Sequence, residues 1–207
     1  MPREGRRPGE GEGAAAAVER VYEALRKSKD SFATVKEFAL IDEAGDQIRL
    51  FYGAGDGTLQ QGGAVAVGDA PRGVALGDLT GDGRMDMVVT TFGDDRMTSF
   101  VAQAGQRAGT FEEVSSLPLG LGPYGVRLAD MDLDGVLDAI TPISGLGAVA
   151  VVLSDGHGGL IDRIPFFTGA SPIDVIVRDF DEDGIPDLVV SNAGAQSLLL
   201  MGSQPPS

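Results

Sequence analysis

Cysteine and tryptophan are absent from the 207 residues, and histidine occurs once. Without cysteine there is no disulfide framework, thiolate zinc site, iron–sulfur ligation or thiol nucleophile. A lone histidine leaves a histidine-rich metal site or a Ser-His relay without its parts. Aromatic residues make up 6% of the chain, with tyrosine only at Tyr22, Tyr52 and Tyr124, so platforms on which sugar rings stack are scarce. Positive charge is scarce as well. Lys+Arg 16 against Asp+Glu 31 give a net charge of −15, which repels phosphate backbones and anionic headgroups and excludes nucleic acid and membrane surfaces as default partners. No run approaches the roughly 18 apolar residues that span a bilayer. Met1 to Gly13 is charged and glycine-rich with no apolar stretch behind it, so no signal peptide is read in this chain.

Glycine is abundant, at 31 residues about twice the usual share, and calls for many tight turns between short strands. Three copies of one pattern carry them: GVALGDLTGDGRMDMVVT from Gly73, GVRLADMDLDGVLDAIT from Gly125 and DVIVRDFDEDGIPDLVV from Asp174. Their leading aspartates, Asp78, Asp130 and Asp179, lie 52 and 49 residues apart, a period that belongs to stacked or radial repeats. Val74/Leu76, Val126/Leu128 and Val175/Val177 alternate before each acidic cluster, and an apolar run such as Met87 to Val89 or Leu188 to Val190 follows it. Period two on both sides makes the cluster a strand-to-strand loop. Two further strand-like segments close each of the first two units, at Met97 to Gln103 and Phe111 to Leu117, then at Ala148 to Leu153 and Leu160 to Phe167, joined by glycine-rich turns, whereas the third unit is expected to stop after Gln196 to Met201.

Four short strands per 50 or so residues predict an all-β fold, a β-propeller of four-stranded antiparallel blades. The expected organisation is a disordered tail over residues 1–13, an amphipathic helix over 14–30, and repeats over 33–203. The repeats divide into a partial blade at 33–68, blades at 73–119 and 124–168, and a partial blade at 173–202. Val18, Val21, Tyr22 and Leu25 form the helix stripe, which suits a cap on the sheet edge or a partner-binding helix. About three and a half blades do not curl into a ring, so the chain is expected to be a fragment of a longer propeller or to close by self-association.

The acidic loops read Asp78 to Asp86 (DLTGDGRMD), Asp130 to Asp138 (DMDLDGVLD) and Asp179 to Asp187 (DFDEDGIPD). Oxygen ligands recur at positions 1, 3, 5 and 9: Asp78, Thr80, Asp82 and Asp86; Asp130, Asp132, Asp134 and Asp138; Asp179, Asp181, Asp183 and Asp187. The position-7 carbonyls of Arg84, Val136 and Ile185 add a further oxygen to each. Gly83, Gly135 and Gly184 at position 6 permit the sharp turn. Carboxylates this crowded repel one another without a cation. Calcium, with six to eight oxygens and flexible geometry, suits the set better than magnesium, giving up to three Ca²⁺ sites. The first loop is expected to be the weakest, because Thr80 stands where the others have Asp132 and Asp181. Metal-free acidic turns are the alternative reading, less suited to three loops at matched spacing. An EF-hand is excluded, since Val89, Thr141 and Val190 occupy position 12 and the flanks are strands.

With these loops and the turn GAGDGT at 53–58, the chain resembles the FG-GAP/VCBS repeats of integrin α-subunit propellers and their bacterial relatives, over about Asp46 to Met201. The resemblance implies calcium-binding loops between the first and second strands of each blade. It departs in blade number, since family propellers usually have seven, and in lacking a plain Phe-Gly and Gly-Ala-Pro element.

The function expected is a calcium-binding propeller domain acting as an extracellular binding or adhesion module, or as a scaffold. Its partner is expected to be a protein, less readily a glycan. Sites of millimolar affinity place it outside the cell, at the cell surface or in the periplasm. The alternative is an accessory or catalytic propeller of a polysaccharide-degrading enzyme. No catalytic residue is assigned: His157 reads as a turn residue, and Arg127 and Arg178 as rim charges balancing the acidic loops.

Overall fold

The computed structural model describes residues 37–202 apart from 55, 57 and 106–108. The tail expected at 1–13 and the helix expected at 14–30 lie outside the described residues. What is described is all-β, with two single 3₁₀ turns and fourteen strands in four antiparallel sheets.

The first sheet holds β1 (Glu37–Asp42), β2 (Gln47–Gly53) and β3 (Leu59–Ala66). The second has β4 (Pro71–Gly77), β5 (Asp86–Thr91), β6 (Arg96–Ala102) and β7 (Phe111–Pro118). The third has β8 (Arg127–Ala129), β9 (Asp138–Ile143), β10 (Ala148–Ser154) and β11 (Leu160–Phe167). The last contains β12 (Pro172–Arg178), β13 (Asp187–Asn192) and β14 (Ser197–Met201). Each sheet hydrogen-bonds in chain order, and none closes on itself. A meander of this kind puts every acidic loop at one end of the sheets, and the sheet-to-sheet links at the other.

Three cores lie between the four sheets. Ile48 and Leu50 of the first meet Met87, Val89 and Phe100 of the second. Val88 and Met97 meet Ala139, Ala150 and Val152 of the third. Ile140, Val149 and Val151 then meet Val175, Leu188 and Val190 of the last. Strands β5 and β9 are buried at all six positions, because a neighbouring sheet covers each of their faces. That explains the uninterrupted apolar runs after the first two acidic loops, where one buried face alone calls for alternation.

The sheets approach closely on their first strands. A Cβ on Gly73 would lie 2.8 Å from the carbonyl oxygen of Tyr124 and 2.7 Å from the backbone nitrogen of Val126, so only glycine fits. Strand β8 is short, yet the segment before it still meets β9: Pro123 bridges Ile143 and Tyr124 N–H donates to Pro142 O at 2.9 Å, at the position where Pro71 opens β4 and Pro172 opens β12.

Candidate metal centre

The three acidic loops repeat one hydrogen-bond scheme. At position 1, Asp78, Asp130 and Asp179 each accept the position-6 glycine N–H on Oδ2, at 2.8, 2.9 and 2.9 Å. Their Oδ1 atoms accept the position-5 N–H at 3.1, 3.1 and 3.2 Å, curling the backbone around the first carboxylate. At position 5, Asp82, Asp134 and Asp183 accept the N–H of Arg84, Val136 and Ile185 at 2.9, 2.8 and 2.9 Å. The position-6 glycines take φ of 82°, 91° and 89°, the left-handed turn that their residue type implies.

Position 9 is different in kind. Asp86, Asp138 and Asp187 are 0, 1 and 2% exposed. Asp86 accepts Leu79 N–H on one oxygen and Ala102 N–H on the other, both at 2.9 Å, and so ties its loop to the end of β6. Asp138 does the same with Met131 and Ser154, both at 3.0 Å. Asp187 accepts from Phe180 at 2.9 Å. Burial pushes the Asp86 and Asp138 carboxyls above the ordinary range. Asp82 adds to this at Asp86, as do Asp132 and Asp134 at Asp138, against the downward pull of the backbone donors. At Asp78 the upward push of burial is outweighed by N–H groups from Gly83, Gly81, Asp82 and Thr80, and its carboxyl is held low.

The second and third loops gather three carboxylates each. Oxygens of Asp130, Asp132 and Asp138 lie within 4.8 Å of one another, as do those of Asp179, Asp181 and Asp187. Asp134 and Asp183 are not in these groups. An all-carboxylate oxygen set of that span fits a hard divalent cation. In the first loop, Thr80 Oγ1 reaches Asp86 Oδ2 at 3.3 Å and Asp78 Oδ1 at 3.4 Å, so a hydroxyl bridges two carboxylates where the other loops have a third. Asp82 there also pairs with the Arg84 guanidinium, whose Nε donates to Ala102 O at 3.1 Å.

Arg127 does not balance its own acidic loop as the sequence suggested. Its Nη2 bonds Asp174 Oδ1 at 2.9 Å, linking β8 to β12 across a sheet boundary. His157 is held in its turn by its own neighbours, with Nδ1 2.9 Å from Asp155 O and its N–H on Asp155 Oδ1 at 2.8 Å.

Two features escaped the sequence. Position 4 is left-handed in all three loops, through Gly81, Leu133 and Glu182, and a mixture of residue types hides it. At the opposite end, Asp46 and Asp95 in left-handed turns accept the N–H of Ala70 at 3.1 Å and Gly122 at 2.8 Å, fastening the first two links to the sheet before each. An aspartate at the same point of successive turns was the available signal.

Residues 36–89 match the family described as FG-GAP-like repeat, a span that includes the first acidic loop. No curated protein matches the chain. Among solved structures, BBS1N in complex with ARL6DN, soaked with lead, is similar with a TM-score of 0.55 and 12% identity, over 82% of this chain and 53% of that one. A putative 6-phosphogluconolactonase from Bacteroides uniformis ATCC 8492 is similar with a TM-score of 0.52 and 17% identity, over 84% and 55%. At these identities the likeness concerns the fold, and the chain spans about half the length of either.

Proposed function

We propose that this chain, whose residues 36–89 are an FG-GAP-like repeat, is a calcium-binding β-propeller module that presents a braced surface to a protein ligand outside the cell. The observation that carries the reading is the pair of carboxylate groups, Asp130/Asp132/Asp138 and Asp179/Asp181/Asp187, at the same place in adjacent sheets. A bound cation supplies positive charge that offsets the repulsion within each group.

The chain's own residues explain what that does for the fold. Asp138 bonds both its loop and the end of β10, so whatever fixes its ionised form fixes the loop against two strands of the sheet. Asp187, the first residue of β13, holds its loop through Phe180 N–H. The loops thus brace the strands on which ligand-facing turns are mounted. On this reading each loop is a site of the extracellular class, with an expected dissociation constant on the order of 10⁻⁴–10⁻³ M.

The test is thermal unfolding followed by circular dichroism in chelator, in about 2 mM calcium and in magnesium. Each site with a dissociation constant near 10⁻⁴ M stabilises by about 1.8 kcal/mol at that concentration, so two sites raise the midpoint by several degrees. A calcium-specific rise is expected. Equal midpoints in chelator and calcium would reduce the loops to acidic turns and remove the support for an extracellular module.

A further inference from the structure

Position 7 separates the three acidic loops. Val136 and Ile185 are apolar there. Val136 packs against the β10–β11 turn, where a Cβ on Gly156 would stand 3.4 Å from its Cγ2, and Ile185 lines the interface of the last two sheets beside Met131 and Leu188. Arg84 brings a charge to the same position. Its backbone N–H and its guanidinium engage the two oxygens of one carboxylate: N–H donates to Asp82 Oδ1 at 2.9 Å, and Nη2 pairs with Oδ2. Its Nε donates to Ala102 O at 3.1 Å, and Ala102 N–H in turn donates to Asp86 Oδ1 at 2.9 Å. One guanidinium therefore joins position 5 of the loop to the strand end that position 9 already grips.

The balance of charge follows the same division. The first loop holds three carboxylates and this guanidinium, the second four carboxylates, and the third five with Glu182; the last two contain no lysine or arginine. Every oxygen-bearing side chain of the first loop also has a partner within the chain. Asp78 accepts N–H groups from Thr80, Gly81, Asp82 and Gly83, Asp82 takes Arg84, and Thr80 Oγ1 lies between Asp78 and Asp86.

We propose that Arg84 is a tethered cation: in the first loop it supplies the charge compensation that calcium supplies in the other two, and it lowers that loop's affinity for calcium beyond what Thr80 does. The affinity part rests on the calcium reading of the loops, whereas the compensation part stands without it. Arginine suits the role, because its guanidinium stays charged and holds a carboxylate in a fixed geometry. An arriving divalent ion meets its repulsion and competes with it for Asp82 Oδ2.

The test titrates calcium calorimetrically into the chelator-treated full chain and into R84V and R84K, R84V giving the first loop the residue of the second. R84V should tighten the weakest binding step by about tenfold, the order expected for removing one neighbouring positive charge, and leave the two stronger steps unchanged. R84K, which keeps the charge, should leave the weakest step within about threefold of the wild type. An unchanged weakest step in R84V, or equal tightening in R84K, would overturn the proposal. Hydrogen exchange in chelator tests the compensation without metal. Protection of the amides of residues 83 and 84, corrected for intrinsic rates, should exceed that of residues 135 and 136 and fall by about two- to fivefold in R84V. Unchanged protection would overturn the proposal as well. If no loop binds calcium, the metal reading falls and the exchange result alone decides.

Discussion

Asp86 is buried and accepts two backbone N–H groups, from Leu79 and Ala102, which lose this acceptor if its carboxylate is removed. Each orphaned donor costs about 1–3 kcal/mol, so D86A should lower stability in urea by about 2–5 kcal/mol, against under about 1 kcal/mol for D82A in the partly exposed ion pair with Arg84. Titration separates the aspartates as well. The folded pKa of Asp86 and Asp138 lies above the unfolded one, so the native state holds the extra proton between the two values and stability falls as pH rises through that window. Asp78 has the opposite sign: its contribution is present above the ordinary carboxylate value and is lost as pH falls below it. In chelator, the stability of the wild type minus that of a D86N/D138N variant should therefore decrease as pH rises above the ordinary carboxylate value of about 4, as read by urea unfolding at each pH. In the sequence the four aspartates of a loop look equivalent, since spacing places carboxylates without saying which N–H groups turn toward them. Only the fold distinguishes the buried tie at position 9 from the cap at position 5.

Strands were the most legible elements. The alternation of Val175 and Val177 and the unbroken run of β5 reflect how many faces a neighbouring sheet covers. That difference can be measured on isoleucines. Ile140 on β9 is 0% exposed between two sheets, and Ile176 on β12 is 54% exposed on the outer face of the last one. I140A should cost about 2–5 kcal/mol and I176A less than about 1 kcal/mol in denaturant titrations. Comparable losses would mean that another element covers the last sheet in solution. Strand β8 was less legible than its neighbours: Val126 and Leu128 alternate like those of a full strand, but its ladder to β9 covers only Arg127–Ala129, with an isolated bridge from Pro123 to Ile143 upstream. The ties from Asp46 to Ala70 and from Asp95 to Gly122 were missed for a similar reason: they join residues 24 and 27 apart, beyond any local pattern.

At the scale of the molecule, four sheets share three cores, and the acidic loops of three of them lie at one end. The repeat period foretold that arrangement, because a unit of about 50 residues cannot bury its apolar faces alone and must stack. The difference among the loops followed from Thr80, whose hydroxyl now bridges Asp78 and Asp86. The added pairing of Asp82 with Arg84 was visible only in three dimensions. The central claim, that these loops hold calcium, is tested most directly by titrating calcium into the chelator-treated chain in a calorimeter. Two comparable sites and a third weaker one are expected, with D130N and D179N each removing one of the stronger two. A titration without binding heat up to about 10 mM calcium, above the dissociation constants of extracellular sites, would contradict the account.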